Sequence, residues 1–288
     1  MKNDTYSRVE GIDLSSLCFR CFPLIEETGA FISSQFGKVD DSAIEEKSLN
    51  SLVSFVDKTA EEMLIQGLSP LFPEAGFLTE EEMAVPARTA SGEWQWIIDP
   101  LDGTTNFLFG LPNFAVSVAL AFQGAPVLGI VYEVNRKELF YAIKGGGAFL
   151  NGKPIRAGKA SVLSHALVAT GFPYSQFDQL GFHLDAVGRF QRQTRGVRRW
   201  GAASVDLAFV ACGRFDVFFE YALNPWDVAA GMLLVTEAGG AVSDFWGSEG
   251  DYSGRQVLAT NGLLHPSALE VLAEAYYASS SMSNLSGD

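Results

Sequence analysis

The feature that most restricts the fold is a change in hydrophobic period along the chain. From Ala115 to Ile155 apolar residues follow a period of two, in the short runs AVSVALAF, PVLGIVYEV, ELFYAI and GAFLNGKPI. Gly, Asn and charged residues separate these runs, so they predict an antiparallel meander. The segment Lys144–Gly147 (KGGG) lacks the Lys-Ser/Thr pair and the following helix of a phosphate-binding loop, and we interpret it as a turn.

Other periods flank the meander. The pattern before it predicts helices over Leu14–Phe36, bent or interrupted near Pro23, and over Val56–Leu71, followed by a buried strand Trp94–Ile98 that stops at Asp99–Pro100. After it, strands and helices alternate. The predicted strands are 166–169, 216–220, 241–245 and 256–260, and the predicted helices are 202–212, 228–238 and 266–277. The fold class is therefore α/β (α+β).

The order of these elements predicts one structural unit built from two subdomains. Residues 1–160 form an N-terminal α+β subdomain that carries Glu80 and the DPLDGT motif. Residues 161–278 form a C-terminal α/β subdomain that carries a Trp-Asp motif. The tail 279–288 (SSSMSNLSGD) consists mostly of small and polar residues, and we expect it to be disordered.

Charge and hydropathy exclude several classes of protein. The chain has 20 basic and 34 acidic residues, a net charge of −14, which argues against a nucleic-acid groove. Acidity in a phosphate-binding protein favours bound divalent cations, although it is equally typical of an ordinary cytoplasmic protein. The N-terminal sequence MKNDTYSRVEGIDL lacks the apolar segment of a signal peptide, and no apolar run is long enough for a membrane helix. We expect a cytoplasmic protein.

The three cysteines do not indicate a redox or zinc site. An odd number without a regular framework argues against a disulfide scaffold. Cys18 and Cys21 form a CxxC pair, but they lie inside a helical apolar pattern and none of the three histidines stands at ligand spacing. We interpret both as semi-buried helix residues.

The segment Asp99–Asn106 (DPLDGTTN) is the strongest candidate for chemistry. Asp99 closes an apolar strand, and two carboxylates three residues apart at a strand end can converge on one point. Gly103 permits close approach of a ligand, and Thr104 suits a helix start, where backbone N–H groups can face an anion. Carboxylates beside an anion site are what a metal-bridged phosphate needs. The alternative is an ordinary turn before a capped helix.

Two further acidic residues also lie at the boundary of a predicted helix or strand. Asp227 follows Trp226 and precedes a predicted helix, and Glu80 lies within Thr79-Glu80-Glu81-Glu82. The alternatives are a helix-capping Asp and a solvated acidic turn. Carboxylate oxygens without His or Cys select Mg²⁺, Mn²⁺ or Ca²⁺ rather than zinc or copper.

Together these motifs resemble the inositol monophosphatase family. DPLDGTTNF is similar to the family's central signature, PWDVAAG to its second signature, with TEAGG at the family's spacing, and FLTEEE to its Gly-Glu-Glu segment. The resemblance covers about residues 45 to 275. It implies the layered αβαβα sandwich of the sugar-phosphatase type, Mg²⁺-dependent and lithium-sensitive phosphatase activity, and a homodimer.

The resemblance also implies roles for individual residues. Glu80, Asp99 and the Leu101 carbonyl would hold one Mg²⁺. Asp99, Asp102 and Asp227 would hold a second, and a third, weaker ion near Glu80 makes two to three ions in all. Besides Glu80, the catalytic residues would be Thr104 and Asp57, which orient the attacking water, and Lys47 would lie on a loop near the metals. The implied substrate-binding residues are Asp102, Gly103, Thr104, Gly201, Ala202, Ala203, Glu220 and Asp227.

The expected function is hydrolysis of inositol monophosphate, or a related small polyol or sugar phosphate, by in-line attack of a metal-activated water. Thr79 stands where the family often has Gly, and Asn224 stands where animal inositol enzymes have His, which puts strict inositol specificity in doubt.

The alternative substrates are fructose 1,6-bisphosphate, histidinol phosphate and a 3′-phosphonucleotide. A hypothesis of another class is a regulatory protein that binds RNA polymerase or ribosomal-RNA processing factors. The charge of −14 disfavours direct nucleic-acid binding, and no membrane partner is expected.

Overall fold

The computed structural model describes residues 8–40, 44–48, 51–81, 93–249 and 252–283. The helices in these ranges are α1 (Leu14–Gln35), α2 (Phe55–Leu71), α3 (Thr104–Leu108), α4 (Leu180–Gln193), α5 (Ala203–Ala211), α6 (Pro225–Glu237) and α7 (His265–Ser283). The strands are β1 (Arg8–Val9), β2 (Ile12–Asp13), β3 (Ile44–Ser48), β4 (Ser51–Ser54), β5 (Gly76–Thr79), β6 (Trp94–Asp102), β7 (Ala115–Phe122), β8 (Ala125–Glu133), β9 (Glu138–Ile143), β10 (Gly147–Leu150), β11 (Lys153–Pro154), β12 (Val168–Thr170), β13 (Val197–Arg198), β14 (Val217–Tyr221), β15 (Ala241–Ser243) and β16 (Gln256–Thr260).

Two large sheets form the frame of the molecule. The first has the order β11-β10-β9-β8-β7-β6-β5, and it is antiparallel except where β5 runs parallel to β6. The predicted meander is therefore confirmed, and residues 144–146 form its predicted turn. The second has the order β13-β12-β14-β16-β15, with β12 parallel to both its neighbours and the rest antiparallel. Two short hairpins, β1-β2 and β3-β4, are separate.

The helices fill the spaces on either side of these sheets. One apolar cluster joins α1 and α2 to a face of the seven-stranded sheet, and another joins α4 and α7 to the outer face of the five-stranded sheet. Between the sheets lie α5 and α6, whose residues contact both. All nine residues of α5 are buried, as expected for a helix that is apolar on every side. These five layers confirm the predicted αβαβα sandwich.

The division into two subdomains stays a prediction. The boundary at residue 160 falls between β11 of the first sheet and β12 of the second. The middle layer nevertheless packs on both sheets, so the two parts share one apolar interior.

Two sequence predictions need correction, and one helix was missed. Pro23 does not interrupt α1, because Leu17, Cys18, Cys21 and Ile25 on both sides of it are buried, and their packing offsets the lost backbone hydrogen bond. Helix α7 extends to Ser283, so it includes the first five residues of the tail expected to be disordered, while 284–288 lie outside the described residues. Helix α4 was not predicted.

Cys18 and Cys21 are residues of α1, as interpreted, but both are fully buried where semi-buried positions were expected, and burial raises the pKa of both thiols. In the part of the chain that the structure describes, no helix has the length and hydropathy needed to cross a membrane.

Candidate metal centre

A bulge in β6 brings Asp99 and Asp102 to the same side of the sheet. Asp99 pairs with Ser117 of β7 and Asp102 pairs with Ala115, so three steps on β6 match two on its neighbour. In a regular strand, residues three apart point to opposite faces, and the extra residue restores the common face. The strand does not stop at Pro100 as predicted, because the bulge absorbs a residue that has no N–H to donate.

Four carboxyl groups meet beside this bulge, and we call them the acidic cleft: Glu80, Asp99, Asp102 and Asp227. Burial raises the pKa of Asp99 well above its usual range, and the charges of Glu80, Asp102 and Asp227 raise it further. Burial likewise raises the pKa of Asp227, to which Glu80 and Asp102 add. A hydrogen bond also links the carboxyl groups of Asp99 and Glu80. The four predicted ligands are thus brought together from three separate segments of the chain.

Protein donors fix one side of each aspartate in the cleft. Asp99 Oδ1 accepts from the backbone N–H of Leu101 at 2.9 Å. Asp102 Oδ2 accepts from Ser204 twice, from N at 2.8 Å and from Oγ at 2.5 Å. Asp227 lies in the first turn of α6, and its Oδ2 accepts from the backbone N of Asn224 at 2.7 Å. These bonds orient the carboxyl groups.

The donor set of the acidic cleft fits a divalent cation of the Mg²⁺ type. All its members are oxygen ligands, and like charges held together in a buried site repel unless a cation lies between them. As the side chains stand, no three acidic, histidine or cysteine residues in the described ranges form a complete ligand set around one point. The structure therefore shows proximity and mutual repulsion of the carboxyl groups, and the assignment of each as a ligand stays a proposal.

The predicted pair Asp57 and Thr104 lies beside the cleft. Thr104 Oγ1 is 2.9 Å from both Asp57 Oδ1 and the carbonyl oxygen of Leu101. Since a hydroxyl has one proton, it donates to one of these acceptors at a time. Asp57 Oδ2 accepts from Ser54 N and Ser54 Oγ, each at 2.8 Å, at the start of α2. Burial raises the pKa of Asp57, and these hydrogen bonds oppose the shift.

Six of the eight predicted substrate residues, all but Gly103 and Thr104, line a pocket next to the cleft, which we call the inner pocket. Its wall comprises Asp102, Gly171, Tyr174, Arg199, Gly201, Ala202, Ala203, Asp206, Glu220, Leu223 and Asp227. Gly103, at φ 92°, lies against this rim, since a Cβ there would come within 3.0 Å of Asn113 O and 3.3 Å of Gly201 O. Lys47 lies on β3, and its side chain is outside the described residues.

Sequence reasoning missed several residues that build the site. Asn106 Nδ2 donates to the carbonyls of Trp200 and Gly201, at 3.1 and 3.2 Å, and so ties the rim of the inner pocket to the DPLDGTTN segment. Arg199 and Asp206 line the pocket itself. A signal for Asp206 was present, because it is the one charged residue of α5, a helix whose only other polar residue is Ser204. For Asn106 the signal is weaker, since its two partners on the rim of the pocket lie more than ninety residues away.

Glu61 of α2 is another missed residue, and it holds the segment that carries Glu80. Its Oε1 accepts from Thr79 Oγ1 at 3.1 Å, and its Oε2 accepts from Glu81 N at 2.8 Å. Thr79, the departure from the family pattern, thereby takes part in positioning its neighbour.

The five-layered fold and the acidic cleft are both features that the resemblance to the inositol monophosphatase family implies. Comparison with known proteins agrees: the model of the inositol monophosphatase family matches residues 13–281. The chain belongs to the inositol monophosphatase family.

Individual relatives carry two kinds of name. The Nus factor SuhB of Pseudomonas aeruginosa is 42% identical over 222 residues, which cover 76% of this chain and 82% of that protein. The inositol-1-monophosphatase of Mesorhizobium japonicum is 39% identical over 246 residues, covering 85% and 92%. The crystal structure of the extragenic suppressor protein suhB from Bartonella henselae matches with a TM-score of 0.84 and 35% identity over 89% of this chain and 98% of that one.

Proposed function

We propose that the protein is a Mg²⁺-dependent phosphomonoesterase that acts on inositol monophosphate or a related small polyol or sugar phosphate. The observation that carries this proposal is the acidic cleft beside a pocket lined by polar groups. A cleft of buried carboxyl groups alone would repel a phosphate, so the pocket is useful to a phosphate ester only with cations in the cleft. Family membership and the relative named inositol-1-monophosphatase support the same chemistry.

Within this proposal, Glu80, Asp99, Asp102, Asp227 and the Leu101 carbonyl would hold two to three Mg²⁺ ions. When bound, these ions would neutralise the phosphate charge and activate a water for in-line attack. Lithium sensitivity, by replacement of one ion, and a homodimeric assembly belong to the proposal through the family.

The chain's own groups would then position the reacting water. When Thr104 Oγ1 donates to Asp57, a lone pair of the same oxygen can accept from the water and fix its direction. Asp57 cannot turn away, because Ser54 holds its other oxygen. Gly103 leaves the backbone of the motif free to approach the ester, and Glu220 would contact the alcohol part.

A panel of phosphorylated metabolites tests the proposal. Phosphate release is measured from inositol 1-phosphate, fructose 1,6-bisphosphate, histidinol phosphate and a 3′-phosphonucleotide, with Mg²⁺ and with a chelator. We expect Mg²⁺-dependent hydrolysis, fastest for a monophosphate of a polyol. Equal release with and without the chelator, or no release from any compound, would refute the metal-dependent phosphatase.

A regulatory function is a second candidate, favoured by the names of the relatives. The Pseudomonas aeruginosa relative is called a Nus factor, and it is 42% identical to this chain. Retention by immobilised RNA polymerase from the same organism, measured for the wild type and for Asp99→Asn, separates the two functions. Binding that survives this substitution would establish a role independent of catalysis, and absence of binding by the wild type would count against it.

A further inference from the structure

Asp206 is a buried carboxyl group with an oxygen that no protein donor reaches. Its residue is 1% exposed, and among the described residues Oδ1 has no hydrogen-bond partner. A buried polar atom without a partner is rare in folded proteins and needs a specific explanation. Asp206 lines the inner pocket, so a group that enters this pocket can reach it.

The space around Asp206 is shaped by two glycines. A Cβ at Gly171 would overlap the carboxyl group of Glu220, and one at Gly201 would overlap the guanidinium of Arg199. Gly171 does not have a positive φ, so its backbone conformation does not require glycine. What requires glycine at this position is the space that the Glu220 carboxyl group occupies. The pocket thus has two carboxyl groups, Asp206 and Glu220, with a guanidinium at its wall.

The size of the pocket limits what can meet Asp206. Its volume is about 50 Å³, which suits a few groups of the size of a water molecule. An anionic group is disfavoured, because Asp102, Glu220 and Asp227 line the same space. A hydroxyl group suits it, since it can donate to a carboxylate and can also accept from a protonated carboxyl group.

We propose that Asp206 is a further specificity-determining residue of the inner pocket, whose Oδ1 binds a hydroxyl group of the substrate's alcohol part beside the group that Glu220 would contact. This inference rests on the proposed phosphatase function and adds a specificity-determining residue to it. Arg199, which forms no ion pair among the described residues, lies at the wall of the same pocket and balances part of its negative charge.

A pair of substrates that differ only in hydroxyl groups tests the subsite. Inositol 1-phosphate and cyclohexyl phosphate share the ring and the ester, and kcat/KM is measured for both with the wild type, Asp206→Asn and Asp206→Ala. We expect Asp206→Ala to lower the inositol-to-cyclohexyl ratio of kcat/KM at least about tenfold, the usual consequence of leaving a buried polar contact unmade. Asp206→Asn, which keeps the shape and one acceptor, should give an intermediate ratio.

Asp216→Asn is the matched control. This carboxyl group also accepts protein hydrogen bonds, from Leu167 N at 3.1 Å and Asn261 Nδ2 at 3.1 Å, and lies outside the inner pocket. It should leave the ratio unchanged. A parallel loss on both substrates in Asp206→Asn and Asp206→Ala, or an unchanged ratio, would overturn the subsite while leaving the phosphatase intact.

Calorimetric titration with free inositol distinguishes failure of the subsite from failure of the proposed function. If the wild type hydrolyses neither phosphate, the proposed function fails, and inositol binding by the wild type but not by Asp206→Ala still supports the subsite. Equal binding by both proteins, or no binding by either, overturns it. Tighter binding of an amino-substituted cyclitol than of inositol would overturn the choice of a hydroxyl group.

Discussion

The buried carboxyl groups of α2 and those of the acidic cleft are satisfied in opposite ways. Asp57 and Glu61 each accept hydrogen bonds on both oxygens, from Ser54 and Thr104 in one case and from Thr79 and Glu81 in the other. In the cleft, the charges that raise the pKa values of Asp99 and Asp227 come from other carboxyl groups.

The contrast separates two uses of buried charge. A buried carboxylate that has all its hydrogen bonds ties segments of a fold together. A group of carboxyl groups facing one another opposes folding until a cation joins them. Removing a carboxylate from α2 should therefore lower the free energy of unfolding. Removing one from the cleft should raise the free energy of unfolding of the metal-free protein.

The largest expected effect is on catalysis, with Asp99→Asn. The variant should lose at least about a thousandfold in turnover at saturating Mg²⁺, the order found when a key charge-stabilising group is removed. Its metal-free form should be more stable than the wild type in urea, because one buried charge is gone. Asp216→Asn, away from the cleft, should retain activity. More than a tenth of wild-type turnover in Asp99→Asn would show that the cleft is not the catalytic metal site.

The next effect is stabilisation by Mg²⁺, which should bind the folded cleft and hardly bind the unfolded chain. At a hundredfold excess over Kd this contributes about 2.7 kcal/mol. Melting temperature should rise and saturate with Mg²⁺, and tryptophan emission should follow it, since Trp96 lies on β6 and Trp226 adjoins Asp227.

General screening of the net negative charge is the competing cause, so KCl at matched ionic strength is the control. Asp227→Asn should lose most of the Mg²⁺ effect. If KCl reproduces the whole shift, or if Asp227→Asn keeps it, the cleft does not bind the cation.

A smaller effect is expected at α2, with Glu61→Ala. The variant leaves Thr79 Oγ1 and Glu81 N without this acceptor and should lower the free energy of unfolding by about 1–3 kcal/mol, with Mg²⁺ present or absent. Thr79→Val removes one of the two bonds and should lower it by about 0.5–1.5 kcal/mol. Urea denaturation measures both. A metal-free Glu61→Ala as stable as the wild type would remove the distinction between the two regions.

The parts of the site that could be predicted from sequence are those coded by short segments. Asp99, Asp102, Gly103 and Thr104 lie within one turn of chain, where Pro and Gly restrict the backbone, so their convergence follows from local geometry. The meander was predictable for the same reason, because its period repeats over four neighbouring strands.

The parts that could not be predicted depend on distant partners. Glu61 meets Thr79 eighteen residues away, and Asn106 meets Trp200 across ninety-four. No spacing along the chain encodes such contacts. Helix α4 was missed for a different reason: its buried residues Phe182, Ala186 and Phe190 keep a helical spacing, but Gly181 and Gly188 dilute the signal.

The bulge in β6 makes the cleft depend on the number of residues and not only on their chemistry. Replacing Pro100 or Leu101 would change side chains, whereas deleting either one would remove the bulge, and with it the backbone N–H that Asp99 accepts and the carbonyl that accepts from Thr104. Insertions and deletions in this short stretch should consequently be far rarer among functional relatives than substitutions are. The geometry between Asp99 and Asp102 thus depends on residue count, and a single lost codon would straighten a segment that point substitutions at the intervening positions can leave bulged.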